Sequence, residues 1–290
     1  ARRKKEAKPA RVPISIYGQE MDISTRGLAR MNMIMHNRAT AEIAQGDVIA
    51  EPHFLADAQT LQTFDFVVAN PPFSAKAWAA GLTEDTKYGR FDDGEPPAKN
   101  GDFAFLLHIL ASMKATGSGA VILPHGVLFR GGAEGKIRQK LLEENMLDAV
   151  IGLPSNLFQS TSIPVAVLVF DRRREKGAEL AKRTDVLFID ASRDYKQAKT
   201  QNILESAHTA KIIETFKKRK TVEKYARVVP LDEIKENEFN LNIPRYVDTF
   251  EAEAEIDVKA VQAEIKQLEG ELVEVKKRMA GYLRELQADA

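Results

Sequence analysis

A near-continuous apolar run at residues 64–69, F-D-F-V-V-A, is followed at once by Asn70, Pro71, Pro72 and Phe73. Such a run is typical of a parallel strand that is covered on both faces of its sheet. Two consecutive prolines cannot continue a strand, because each lacks the backbone N–H that pairing requires. The chain must therefore turn sharply at the carboxyl end of this strand, which is where open α/β sheets bind their ligands.

Strand and helix patterns alternate through the first two-thirds of the chain. We predict strands at residues 12–17, 64–69, 120–123, 147–153, 164–170 and 186–190. We predict helices at residues 25–37, 102–114, 135–145 and 206–218, with Asp102 as the N-cap of its helix. Residues 83–101 are polar and rich in Gly and Pro, and they predict a long loop. This alternation indicates a mostly parallel α/β sheet.

The last 40 residues have a different pattern. Apolar side chains recur at alternating spacings of four and three along one predicted helix: Val261, Ile265, Leu268, Leu272, Val275, Met279, Tyr282 and Leu286. This is the a/d seam of a heptad repeat, with Glu and Lys at its flanks. A seam this narrow favours packing against a partner helix over packing on its own domain.

Composition excludes several classes of protein. The chain has no cysteine, so it has neither disulfides, nor a thiol nucleophile, nor a cysteine-based zinc site. Its five histidines lack metal-ligand spacing, so no metal is expected. The 42 Lys+Arg balance the 42 Asp+Glu, and no apolar run reaches 18 residues. We therefore expect a cytoplasmic protein with no membrane partner.

The turn at residues 70–73 suits one kind of chemistry. An amino group conjugated to a ring is a poor nucleophile, because its lone pair is delocalised. The side-chain oxygen of Asn70 and the carbonyl of Pro71 can accept both N–H groups and favour a more nucleophilic nitrogen. Phe73 can stack on the ring that carries the amine. We interpret the turn as a site for methylation of such an amine.

The motif F-D-F-V-V-A-N-P-P-F resembles the catalytic motif of amino-methyltransferases that act on adenine or cytosine in DNA. Further blocks are similar, in order and spacing, to the modification subunit of type I restriction–modification systems. These blocks lie at residues 16–20, 28–33, 46–47, 102–105, 123–130, 151–154, 188–192 and 240–246. The resemblance covers most of residues 12–248.

The resemblance implies an S-adenosylmethionine-dependent N6-adenine DNA methyltransferase with a Rossmann-like sheet. By motif, Asn70, Pro71, Pro72 and Phe73 are the implied catalytic residues, which hold an adenine flipped out of duplex DNA. Glu20, Asp47 and Asn70 are the implied cofactor-binding residues. Glu20 matches the acid that holds the ribose hydroxyls, and Asp47 the acid that accepts from the adenine amino group of the cofactor.

One family feature is missing. The family places the methionine moiety of the cofactor on a Gly-rich turn after its first strand, and residues 1–12 hold neither. Gly117 and its neighbours at 115–119 precede a predicted strand and only connect a helix to it. We therefore expect half a cofactor site, and an unfilled position in the sheet between the Glu20 strand and the Asn70 strand.

The resemblance also implies an organisation and a set of partners. Residues 1–171 are the predicted methyltransferase catalytic domain, incomplete at its amino end. Residues 172–250 are its basic extension, and residues 251–290 are a coiled-coil helix for subunit docking. A separate specificity subunit is expected to bind residues 261–286. A second modification subunit and a restriction subunit are the other implied partners.

Two alternatives stay open. Asn-Pro-Pro turns also occur in methyltransferases that modify the side-chain amide of protein glutamine, since an amide nitrogen is equally weak as a nucleophile. The missing Gly-rich turn leaves room for a truncated, non-catalytic remnant that serves as a scaffold.

Overall fold

The computed structural model describes residues 14–92, 94–159, 161–249 and 258–288. Its strands are β1 (Tyr17–Glu20), β2 (Glu42–Gln45), β3 (Phe64–Ala69), β4 (Met113–Pro124), β5 (Leu147–Gly152), β6 (Val165–Asp171), β7 (Asp185–Asp190), β8 (Lys196–Gln197), β9 (Asn202–Ile203) and β10 (Ala226–Pro230). Its α-helices are α1 (Ile23–Met35), α2 (Asp102–Ala111), α3 (Ala133–Glu143), α4 (Ser206–Lys218), α5 (Leu231–Glu236) and α6 (Val258–Ala288). The chain divides into two compact units, Ala1–Thr249 and Phe250–Ala290.

Six strands form the main sheet of the first unit, in the order β10-β7-β5-β6-β4-β3. Strands β3, β4, β5 and β7 run parallel to one another, whereas β6 and β10 are antiparallel to their neighbours. The predicted, mostly parallel α/β sheet is therefore confirmed.

Helices cover both faces of the central strands of this sheet, and the alternation of side chains explains why. Along β7, Val186 and Phe188 join the core that α2, α3 and α5 cover, whereas Leu187 and Ile189 point into the core on the α4 side. All six residues of β5 are buried. Each large apolar side chain buried in this way contributes about 1.5–3 kcal/mol relative to an exposed one.

Strands β1 and β2 form a separate, two-stranded parallel sheet that carries α1. Within the described residues, β1 does not pair with β3. The position in the sheet between the Glu20 strand and the Asn70 strand is therefore unfilled there, as expected. The rings of Tyr17 on β1 and Phe64 on β3 lie 5.3 Å apart, and Phe54 contacts both. Aromatic side chains therefore link the two sheets at the amino ends of these strands.

The expectation that the strand at 64–69 is covered on both faces is wrong. Its bounds are as predicted, but β3 is the edge strand of the main sheet. Phe66 and Val68 are each 79% exposed, because their face of the strand has no covering helix in the described part of the chain. Only Val67 and Ala69, on the opposite face, pack against the core.

Two predictions about other strands also need correction. The strand expected at 12–17 begins at Tyr17, where Glu42 of β2 becomes available to pair with it; residues 12 and 13 lie outside the described residues. Residues 115–119 belong to β4 rather than to a connection, and the register with β3 shifts there. A Cβ at Gly117 would lie 3.0 Å from the carbonyl oxygen of Phe64, so this approach of the two strands favours glycine.

Asp102 is not an N-cap. Gly101 is the N-cap of α2, and Asp102 is its first helical residue, with a fully buried side chain. The helix ends at Ala111, earlier than predicted, because β4 begins at Met113. The helix α4 has the predicted bounds.

The second unit contains α6, a helix of 31 residues. The seam side chains described on it, from Val261 to Tyr282, are 42–63% exposed. None of the described helices is long and apolar enough to cross a membrane.

Candidate active site

The motif residues that follow β3 lie at the carboxyl end of that strand, as predicted. Pro71 is buried and Phe73 is half-buried, so the turn is anchored in the protein. The side chain of Asn70 is exposed and has no hydrogen-bond partner among the described residues. Its carboxamide oxygen is therefore available to accept a hydrogen bond from a ligand.

Phe73 has an aromatic neighbour that the sequence analysis missed. Its ring centroid lies 5.8 Å from that of Phe158, with the two planes at 85°. Phe158 follows β5, so the carboxyl ends of the parallel strands β3 and β5 bring the two rings together. The signal available in the sequence was an aromatic residue a few positions beyond a predicted parallel strand. An edge-to-face contact of this kind restricts the orientation of the Phe73 ring.

The residue after Phe73 has an unusual backbone conformation. Ser74 has a φ of 53°, in the left-handed region that few non-glycine residues adopt. Its N–H donates to Oδ1 of Asp102 at 2.7 Å. A buried carboxylate thus holds the backbone immediately downstream of the motif.

The two acids assigned to the cofactor lie at the carboxyl ends of β1 and β2. Glu20 is opposite Gln45 in this parallel pair, and Asp47 follows two residues later. Gly46 between them has a φ of 134°, a conformation that requires glycine. The neighbouring strand ends therefore bring Glu20 and Asp47 to the same side of the small sheet.

One oxygen of each of these carboxylates accepts a hydrogen bond from a backbone N–H two residues later in the chain. Oε1 of Glu20 accepts from the N–H of Asp22 at 2.9 Å, and Oδ1 of Asp47 accepts from the N–H of Ile49 at 2.8 Å. The other oxygen of each has no partner in the described parts of the chain. Free carboxylate oxygens suit ribose hydroxyls and an exocyclic amine, which donate hydrogen bonds. The pair fits the adenosine part of S-adenosylmethionine, and no hydrogen bond links it to Asn70.

The loop before α2 is fastened to the Asp47 turn by Arg90. Arg90 is 3% exposed, and its guanidinium donates to the carbonyls of Ile49 at 2.7 Å and Thr86 at 2.5 Å. Burial lowers the pKa of Arg90 to about 10. Phe91 is buried against Trp78, with ring centroids 5.4 Å apart. Arg90 and Phe91 are therefore packed within the protein.

Three consecutive arginines, of a type that binds phosphate, are each paired with a carboxylate, and only the third is buried. Arg172 contacts Glu175, Arg173 contacts Asp171, and the buried Arg174 contacts Asp148. Their guanidinium groups thus have carboxylate partners, which argues against a phosphate-binding role.

Comparison with known proteins places these features in a family. The family model for N-6 DNA methylase matches residues 2–255. The chain belongs to the N-6 DNA methylase family. Among its relatives, it is 32% identical over 288 residues to the type I restriction enzyme MpnII methylase subunit of Mycoplasma pneumoniae, covering 95% of this chain and 51% of the relative. The MjaVIII methylase subunit of Methanocaldococcus jannaschii is 30% identical, covering 94% of this chain and 48% of the relative.

Solved structures agree with this assignment. A type I restriction–modification methyltransferase subunit from Streptococcus thermophilus superposes with a TM-score of 0.71 at 44% identity, covering 81% of this chain and 48% of that one. The EcoKI M protein shares the fold, with a TM-score of 0.59 at 21% identity, covering 93% of this chain and 60% of that one. The predicted methyltransferase sheet and the resemblance to type I modification subunits are confirmed. The N-6 DNA methylase chain spans about half the length of the curated relatives that it matches.

Proposed function

We propose that this chain carries the target-base site and the adenosine-binding acids of an N6-adenine DNA methyltransferase of type I restriction–modification systems. The observation that carries the proposal is the exposed Asn70 carboxamide, held at the carboxyl end of β3 by a proline-fixed turn. Family membership supports the same chemistry.

The residues of the turn act on the amino group of a flipped adenine. Asn70 Oδ1 and the Pro71 carbonyl accept its two N–H groups, which draws the lone pair out of conjugation with the ring. Phe73 stacks on the base, and its contact with Phe158 preorganises the ring for stacking. Pro72, with its fixed φ, stiffens the turn.

S-adenosylmethionine, when bound, supplies the electrophilic methyl group. Glu20 accepts from its ribose hydroxyls and Asp47 from its adenine amine, each through the oxygen that has no partner in the described structure. No described residue is assigned to the methionine part. We propose that a further strand pairs with the open outer edge of β3 and fills the position between β3 and β1, and that a Gly-rich turn after this strand holds the methionine part.

The remaining assignments are also proposals. Residues 1–171 act as the catalytic domain, residues 172–250 as its extension, and residues 251–290 as the docking helix. The seam of α6 binds a specificity subunit, because its seven described side chains are exposed apolar groups at heptad spacing, which a partner helix would bury. Duplex DNA, a second modification subunit and a restriction subunit complete the proposed assembly.

The test compares Asn70→Ala with wild type in the methyltransferase assembly that contains this chain. Unmethylated duplex DNA and glutamine-containing protein are each incubated with methyl-labelled S-adenosylmethionine. We expect label in adenine of DNA only, and a kcat about 10²–10³-fold lower for Asn70→Ala, as for loss of one preorganised hydrogen-bonding group.

Asn237→Ala is the matched control, because it removes a carboxamide at the end of α5, beside the opposite edge strand of the sheet. It should keep wild-type kcat. Label in glutamine would support the amide methyltransferase instead. No label from a folded, assembled wild type would support the scaffold.

A further inference from the structure

A network of charged groups, two of them buried, contacts the backbone immediately after the Asn70–Phe73 turn. Asp102, which is fully buried, accepts from the Ser74 N–H at 2.7 Å through Oδ1 and from Arg130 Nη2 at 2.6 Å through Oδ2. Arg130 also donates from Nε and Nη2 to the two carboxylate oxygens of Glu134. Glu134 is 2% exposed. The sequence of contacts is therefore Glu134, Arg130, Asp102, Ser74.

Packing leaves this chain of contacts little freedom. Arg138, itself 5% exposed, donates to the carbonyl of Arg130 at 2.9 Å and so holds the backbone that carries the guanidinium. Burial disfavours the charge on Arg130, but its hydrogen bonds to Glu134 and Asp102 outweigh that effect and raise its pKa. Arg130 thus stays charged and fixes the orientation of Asp102.

The strained residue after the turn is also the one whose backbone N–H is held by a buried side chain. Ser74 adopts a left-handed φ of 53°, which costs free energy for a residue with a Cβ. The Asn70 side chain has no partner in the described residues, so its direction depends on the backbone of the turn. The charge-assisted bond from Ser74 to Asp102 offsets part of the cost of the strained conformation.

We propose that Asp102 and Arg130 are positioning residues for methyl transfer: they hold the backbone at Ser74 so that Asn70 and Phe73 keep their geometry. This inference rests on the proposed function and extends it to residues that touch neither base nor cofactor. A displacement of about 1 Å in a reacting group can cost about 10²-fold in rate, so a fixed turn has a direct catalytic consequence.

The test uses Asp102→Asn, which keeps the shape of the side chain and removes its charge. In the assembled enzyme we expect kcat for DNA methylation to fall at least about tenfold, because a neutral acceptor is roughly half as strong. The KM for S-adenosylmethionine should change by less than about twofold, since Glu20 and Asp47 are untouched. Arg130→Lys lacks the planar guanidinium that bridges Asp102 and Glu134. It should likewise lower kcat and leave the KM for S-adenosylmethionine nearly unchanged.

Asp171→Asn is the matched control. Asp171 is also buried, accepts a backbone N–H from Arg173 at 3.0 Å and pairs with the Arg173 guanidinium at 2.7 Å, at the opposite end of the sheet. It should lose comparable stability and keep wild-type kcat. Equal kcat values for Asp102→Asn and Asp171→Asn, per folded molecule, would overturn the proposal.

Amide hydrogen exchange at Ser74, measured on the chain itself, separates this inference from the proposed function. Faster exchange at Ser74 in Asp102→Asn, with exchange in β5 unchanged, supports the positioning role whatever the methyl acceptor is. Unaltered exchange at Ser74 overturns it. A wild type that leaves DNA unmethylated overturns the proposed function, while the exchange result still decides the role of Asp102.

Discussion

We expect the largest loss of stability from a change in the ionic cluster around Asp148. Asp148 is the second residue of β5 and is 4% exposed. Its Oδ1 accepts hydrogen bonds from Arg174 and, at 2.9 Å, from Arg183, and it forms an ion pair with Arg219 at 2.8 Å. Arg174 is 1% exposed, so Asp148→Ala leaves a buried cation without its carboxylate. Removing one partner of a buried pair costs about 3–5 kcal/mol.

The lower end of that range is expected, because Arg174 keeps two acceptors. Its Nη2 still donates to Asn145 Oδ1 at 3.0 Å and to the carbonyl of Asp185 at 2.5 Å. A loss of about 3 kcal/mol corresponds to a fall in Tm of about 6–12 °C in a protein of this size. Trp78 is the single tryptophan and is buried in the first unit, so its fluorescence follows the unfolding of that unit alone.

Lys114→Ala is the control for burial. Lys114 Nζ contacts Asp65 at 2.9 Å, but the two side chains are 45% and 68% exposed. Exposed pairs of this kind contribute about 0–1 kcal/mol, so Tm should fall by no more than about 4 °C. Equal shifts for the two variants would refute the argument that burial sets the cost.

Four further predictions follow from individual residues. Burial lowers the pKa of His108 to about 3, so between pH 6.5 and pH 3 the imidazole is protonated in the unfolded chain but not in the folded one. The free energy of unfolding should therefore fall by up to about 1.4 kcal/mol for each pH unit between pH 6.5 and pH 3. His108→Gln should flatten this slope in urea titrations, and an unchanged slope would contradict the assignment. Leu268→Lys with Leu272→Lys should abolish co-purification with the specificity subunit, and retained co-purification would reject the docking role of α6. Phe158→Ala should lower kcat/KM for DNA by about 3–10-fold, as expected for an aromatic contact of about 0.5–1.5 kcal/mol; wild-type kinetics would exclude it from the base site. Glu20→Ala should weaken S-adenosylmethionine binding in calorimetric titration of the assembled enzyme, and unchanged affinity would remove Glu20 from the cofactor site.

Local sequence rules predicted the parts of the site that depend on local structure. Two prolines after an apolar run end a strand whatever surrounds it, so β3 and the position of Asn70 followed from the sequence. The bounds of α4 were also predicted correctly, because the helical repeat of apolar residues and the signals for both helix ends lie within its 13 residues. Motif resemblance then supplied the proposed roles of these residues, which composition and periodicity alone could not.

The missed features depend on residues far apart in sequence. The exposure of Phe66 and Val68 follows from what lies beside β3, and that is a property of sheet order rather than of the strand. Asp102 has the residue type of an N-cap, but its side chain is taken by Ser74 and Arg130, each 28 positions away. Only the spacing of four between Arg130 and Glu134 gave a local indication of the network.

The two ionic networks lie at opposite ends of the sheet strands, so we expect one to affect only stability and the other to affect catalysis as well. The Asp148 cluster lies at the amino ends of β5 and β7, because Asp148 and Asp185 are near the starts of those strands. The Asp102 network instead contacts the turn at the carboxyl end of β3. Charge removal at Asp148 should therefore lower the folded fraction and leave kcat per folded molecule unchanged, whereas charge removal at Asp102 should lower both. Two buried carboxylates of similar exposure thus predict different kinetic outcomes, because only one of them is connected to the turn that carries Asn70.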